Sequence, residues 1–99
     1  MDYEIEWTDI AVEDYQRITH YLLANWTLHV KENFERIVNR KLSSLSFQPF
    51  RGIISPKYKN VRSILLTEHN RLYYEVGKNK ITLLTIIDTR QNPIKNPFT

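Results

Sequence analysis

Nine lysines and arginines crowd the second half of this 99-residue chain: Arg51, Lys57, Lys59, Arg62, Arg71, Lys78, Lys80, Arg90 and Lys95. Only Glu68, Glu75 and Asp88 oppose them, so residues 49–99 carry a net +6 while residues 1–48 carry −3. Charge separated in this way points to an anionic partner for the second half, nucleic acid being the commonest kind. The plainer reading is that these charges keep a sheet soluble and its edges unpaired. Arginine is the type best suited to phosphate, because guanidinium stays charged and offers a planar fork of donors. His69 stands two residues before Arg71, and imidazole is the side chain that most readily moves protons near neutral pH. Tyr73, two residues after Arg71, should share its face of a strand. His20 and His29 fall on predicted helices without metal-ligand spacing, and cysteine is absent. With no nucleotide-binding loop or serine-nucleophile signature either, the chain reads as using no metal and no cofactor.

The elements that must position these residues follow from the apolar pattern. Tyr3, Ile5 and Trp7 alternate with acids, which predicts a short strand. Thr8 or Asp9 then caps a helix, with Glu13 and Asp14 in its early turns where the dipole favours acids. Ala11, Tyr15, Ile18 and Leu22 recur at helical spacing, and Tyr21 widens that stripe, up to about Asn25-Trp26. Thr27 is a second cap, followed by Val30, Phe34, Ile37, Val38, Leu42 and Leu45 on one face, until Pro49 ends the run. So short a break between two helices predicts an antiparallel hairpin. Residues 48–59, punctuated by Pro49, Gly52 and Pro56, read as a loop. Three strands follow over 61–67, 70–76 and 80–88. The last is almost wholly apolar and β-branched, as for a central strand buried on both faces. Gly77-Lys78-Asn79-Lys80 supplies the hairpin turn between the second and third. Asn92-Pro93 and Asn96-Pro97 make residues 91–99 an irregular tail.

The expected architecture is therefore α+β and two-layered, in the order β-α-α-β-β-β, with the helical hairpin packed on a mainly antiparallel sheet. Length allows one domain, 1–99, and the scarcity of glycine (two) and proline (four) argues against a linker or disordered chain. No apolar run is long enough to cross a bilayer, Met1-Asp2-Tyr3-Glu4 does not read as a signal peptide, and the lack of cysteine suits the cytoplasm.

In this order and at these places the residues resemble the RelE/ParE superfamily of type II toxin–antitoxin toxins, the plasmid stabilisation family. The opening helix carries Ala11-Val12-Glu13-Asp14-Tyr15-Gln16-Arg17-Ile18 and Tyr21. Leu42-Ser43-Ser44-Leu45 with Pro49 and Gly52 is similar to the end of the second helix and its loop. Val61-Arg62-Ser63, Asn70-Arg71-Leu72-Tyr73-Tyr74-Glu75-Val76 and Ile86-Ile87-Asp88-Thr89-Arg90 complete the likeness. The resemblance implies a growth-inhibiting toxin neutralised by a cognate antitoxin. Its target would be DNA gyrase for ParE-like members, or mRNA on the ribosome for RelE-like members. The long helical hairpin is closer to ParE.

The same resemblance assigns roles. Arg71 and Arg90 match the two arginines that RelE-type enzymes aim at the scissile phosphate. Arg62, on its own strand, can join them and matches a basic position of ParE-like chains. Lys59, which with Lys57 flanks Tyr58, falls nearest a lysine that supports proton transfer. His69 can carry a proton, and Tyr73 can orient a base or substrate. RelE-type enzymes also place a tyrosine, or a histidine and a tyrosine, shortly after the last strand. Here that stretch reads Gln91-Asn92-Pro93-Ile94-Lys95-Asn96. The chemistry thus divides between a gyrase-blocking surface, which needs no acid–base set, and a metal-independent mRNA endoribonuclease. A third reading is an inactive nucleic-acid or protein binding module. No membrane is involved in any of them, and assembly as a homodimer or as a toxin–antitoxin hetero-oligomer is left open.

Overall fold

A computed structural model describes residues 2–91 and 96–99. Strand β1 (Glu4–Trp7) leads into helix α1 (Asp9–Asn25) and then helix α2 (Leu28–Phe47). Both helices start where a threonine can take the place of the missing turn: the Thr8 hydroxyl accepts from the Ala11 amide and that of Thr27 from the Val30 amide, each at 3.2 Å. A single 3₁₀ turn (Pro49–Arg51) follows α2. Strands β2 (Ile53–Ile54), β3 (Val61–Thr67), β4 (Asn70–Val76) and β5 (Lys80–Asp88) complete the order. Gln48–Lys59, read as loop, thus contains a two-residue strand. It is too short to show periodicity and exists because Ile53 and Ile54 pair with Ser63 and Arg62. The β4–β5 turn takes its positive φ (62°) from Asn79 rather than from Gly77.

The five strands form one sheet in the order β1-β5-β4-β3-β2. Consecutive strands from β2 to β5 pair antiparallel, and β1 runs parallel to β5 with Ile5 opposite Ile81. The helices cover one face. Phe34, Val38, Leu42 and Leu45 of α2 meet Leu72, Tyr74, Ile81, Leu83 and Ile86 of the sheet in one buried cluster. Fully burying each such side chain contributes about 1.5–3 kcal/mol. Trp7, Tyr15 and Phe34 stand ring against ring at 5.3 and 5.9 Å, bridging β1, α1 and α2. Tyr21 does not widen the apolar stripe, being 59% exposed. Nor is β5 buried on both faces: Ile81, Leu83 and Ile86 are buried, while Leu84 and Ile87 on the side without helices are half-buried. No helix among the described residues is long and apolar enough to cross a membrane.

A bulge in β5 fixes how α1 lies. Tyr73 pairs with Thr85 and Tyr74 with Leu83, which leaves Leu84 without a partner in the register. The extra residue changes the phase of the strand, so that Ile86 joins Ile81 and Leu83 in the core. It also releases ladder groups that α1 takes up. The Thr8 hydroxyl donates to the carbonyls of Leu83 (2.7 Å) and Leu84 (3.1 Å). Buried Asp14 accepts from the Ile86 amide at 3.0 Å and from the Thr85 hydroxyl, and its other oxygen accepts from Arg17.

At the other end of the core, the Tyr74 hydroxyl donates to the Pro49 carbonyl at 2.8 Å and accepts from the Gly52 amide at 3.0 Å. A Cβ on Gly52 would lie 2.4 Å from that hydroxyl and 2.8 Å from the Ser63 carbonyl, so the fold needs glycine here for closeness rather than for its φ.

Replacing Asp14 by Ala strands the Ile86 amide in the interior. It should cost about 1.5–3 kcal/mol in urea unfolding, with the slope of the transition unchanged. Gly52→Ala should cost about 1–3 kcal/mol by overpacking. Adding Tyr74→Phe should make the double variant less destabilised than the sum of the two, because the oxygen that the methyl group meets is gone.

Candidate functional site

Arg71 and Tyr73 of β4 point away from the helices, since Leu72 and Tyr74 on either side point towards them. Arg71 lies opposite Leu65 of β3 and Ile87 of β5, and its Nη1 donates to the Ser63 hydroxyl at 3.0 Å. Together with Tyr73, Ile87, Asp88, Thr89 and Asn96 it lines a cleft of about 200 Å³. The cleft exists because the end of the chain returns over this face. Phe98 stacks on Tyr73 (4.7 Å between ring centres, 21° between planes) and meets Tyr58 edge-on at 5.9 Å. The Asn96 amide donates to the Tyr73 hydroxyl at 2.9 Å, and the Ser55 hydroxyl donates to the Phe98 carbonyl at 2.7 Å. Tyr73 is left only 4% exposed. Part of the segment read as an irregular tail, Asn92–Lys95, lies outside the described residues.

Arg90 stands at the edge of this cleft, since Asp88, Thr89 and Gln91 all line it. Arg90 sits past the end of β5 and grips Asp88 with both ends of its fork, Nε to Oδ1 at 3.0 Å and Nη2 to Oδ2 at 2.7 Å. Its own backbone amide adds a third bond to Oδ1 at 2.8 Å. Those hydrogen bonds hold the Asp88 carboxyl down at about 2, and the same pairing raises the Arg90 guanidinium. With the folded value depressed, the pair stays intact at neutral pH and is lost only as pH falls through about 2. His69 is at the tip of the β3–β4 turn, its Nε2 3.3 Å from the Glu68 carboxylate. The His69 carbonyl accepts from the Thr89 amide at 3.0 Å, which ties this turn to the end of β5. Two carboxylates, Asp88 and Glu68, therefore share one corner with Arg90 and His69.

Arg62 does not join the group. It lies on the face of the sheet that carries Tyr74, opposite that residue in register. There its Nη1 donates to the carbonyls of Phe50 (2.9 Å) and Gly52 (3.0 Å), and its guanidinium stands 5.2 Å from the Phe50 ring. Its charge fastens the 3₁₀ turn to β3. Lys57 and Lys59 are exposed in the β2–β3 loop, with the Lys57 ammonium 5.7 Å from the Tyr58 ring. The structure thus brings Arg71 and Tyr73 into one cleft, with Lys57 nearby through Tyr58 and Phe98. It places Arg90 and His69 in an ion-paired corner at the edge of that cleft, and Arg62 on the other face. Among the described residues no group of three or more His, Asp or Glu side chains is placed to hold a metal ion.

Ser55, Asn96 and Phe98 escaped sequence reasoning. The one available signal was Phe98, the single aromatic residue of the tail.

This architecture has known counterparts. A chain of the chromosomal ParDE toxin–antitoxin system from P. aeruginosa superposes with a TM-score of 0.72 at 17% identity, covering 87% of this chain and 95% of that one. The YoeB dimer from Staphylococcus aureus gives 0.64 at 18% identity, covering 92% and 100%. A YoeB/ParE toxin from Agrobacterium tumefaciens gives 0.62 at 14%, covering 86% and 97%. At such identities the likeness is one of fold. No curated protein matches in sequence. Residues 5–93 nevertheless match the family model described as the ParE toxin of the type II toxin–antitoxin system, parDE. The chain belongs to that family, within the RelE/ParE superfamily, and is the toxin of such a toxin–antitoxin pair.

Proposed function

We propose that this toxin acts in the cytoplasm as a ParE-like inhibitor of DNA gyrase, through the Arg71 face of its sheet, and that a cognate antitoxin neutralises it. One observation carries the choice: most of the groups that cleavage of RNA would need at a single phosphate are already engaged by partners within the protein. Cutting RNA through its 2′-hydroxyl takes a proton acceptor, a stabiliser of the phosphorane and a proton donor within reach of one another. Arg90 and His69 stand beside carboxylates, Arg62 holds carbonyls on the other face, and the Tyr73 hydroxyl is bonded by Asn96. Blocking an enzyme asks only for a surface, and such internal engagement does not harm that. An arginine beside a tyrosine in a cleft is a common kind of anchor between proteins.

The second reading, a ribosome-dependent mRNA endonuclease, is favoured by the cleft itself, since Arg71 opens onto a space that a phosphate group would fit. A non-toxic binding module is the third.

Gyrase supercoiling and ribosome-programmed mRNA cleavage, assayed side by side with the purified toxin, separate these readings. Supercoiling should be inhibited with mRNA intact, and Arg71→Ala should raise the half-inhibitory concentration about 10-fold. Cleavage abolished by Arg71→Ala and by Arg90→Ala would establish the nuclease instead. Silence in both assays with normal growth would leave only the binding module.

A further inference from the structure

On the side of the sheet without helices, residues 96–99 pack over Tyr73. Tyr73 is stacked by Phe98, Phe98 is flanked by Tyr58, and the segment is pinned by Asn96 to Tyr73 and by Ser55 to the Phe98 carbonyl. Asn96 also holds the segment's own turn, its Oδ1 accepting from the Phe98 amide at 2.9 Å. These few contacts lie apart from the main core, which gathers Leu72, Tyr74, Ile81, Leu83 and Ile86 on the opposite side of the sheet. Release of residues 96–99 from this face would therefore leave the helix–sheet interface whole.

What the segment covers, Tyr73, adjoins the cations an outside partner would use. Arg71 shares the cleft with Asn96, and Lys57 stands over the outer ring of the slot. We infer that residues 96–99 form a displaceable strap, with Phe98 filling the slot between Tyr58 and Tyr73 and masking Tyr73, beside Arg71, in the free toxin. The inference rests on the reading that the Arg71 face meets the target. A target must then wait for, or drive out, Phe98. Its apparent affinity is reduced by the fraction of molecules whose strap is open. The device makes the toxin weaker than its exposed face would be.

Two readouts on the full-length protein test this. Native-state nitration of Tyr73 by tetranitromethane, mapped by mass spectrometry, reports opening of the strap. Growth arrest under titrated induction, at matched protein levels, reports action on the target. In the wild type, Tyr73 should react faster than global unfolding allows. Phe98→Ala should raise that rate about 10-fold and lower the toxin level that halves growth by a similar factor. Asn96→Ala should move both readouts the same way, and Phe98→Tyr should restore the mask. Should Phe98→Ala fail to fold, Asn96→Ala decides. Tyr73 reacting only on global unfolding overturns the strap. So does unchanged potency of the folded strap variants while Arg71→Ala weakens the toxin. If Arg71→Ala leaves growth arrest as strong as before, the target-face reading falls, and the strap's role with it.

Discussion

Thr8, which caps α1, and Asp14, within it, hold the bulge of β5, and much of the molecule depends on that hold. An extra residue in an interior strand orphans carbonyls and an amide, which cannot stay unbonded away from water. Here the helix supplies the partners. The two side chains place the start of α1 against Leu83 and Leu84 and its second turn against Thr85 and Ile86. Once α1 is fixed there, its short link through Trp26 and Thr27 sets where α2 can lie. The phase change at Leu84 then decides which residues of β5 α2 meets. A defect in the ladder serves as the address to which the helical layer is delivered.

The basic half of the chain shows how net charge and available charge differ. Arg62 is spent on backbone carbonyls and Arg90 on the carboxylate of Asp88, the last residue of β5. Such internal use keeps a small sheet and its loops in place, and it subtracts those cations from any external field at close range. Arg71 donates instead to the neutral Ser63 hydroxyl, in a cleft that it shares with Asp88.

Much of this was legible from spacing alone. Thr8 and Thr27 as caps, the stripe from Val30 to Leu45, and the strands 61–67, 70–76 and 80–88 all follow from local rules, because local hydrogen bonds and one-sided burial dictate them. What stayed hidden depends on contacts across the chain. Asp14 is written like any acid near a helix start, and only the bulge 72 residues later makes it a tether. Ile53 and Ile54 become a strand only because β3 offers an edge. The cleft was invisible for the same reason: Phe98 meets Tyr73 and Tyr58 only after the chain has folded back. Arg62 and Arg71 look alike in sequence, yet the parity of their strand positions sends them to opposite faces.

The parallel pairing of β1 with β5 sets the order of events at birth. In the sheet the first strand made has the last strand made as its neighbour, Glu4 standing opposite Lys80. At about 5–20 residues per second, a ribosome needs about 4–15 s to travel between those partners. Until then β1 has no edge to join, the carbonyls that Thr8 bonds have not been made, and the helical hairpin lacks most of the surface it covers. A nascent chain stopped short of β5 is thus an unfinished sheet. The toxin reaches its active shape only after its final strand has cleared the exit tunnel.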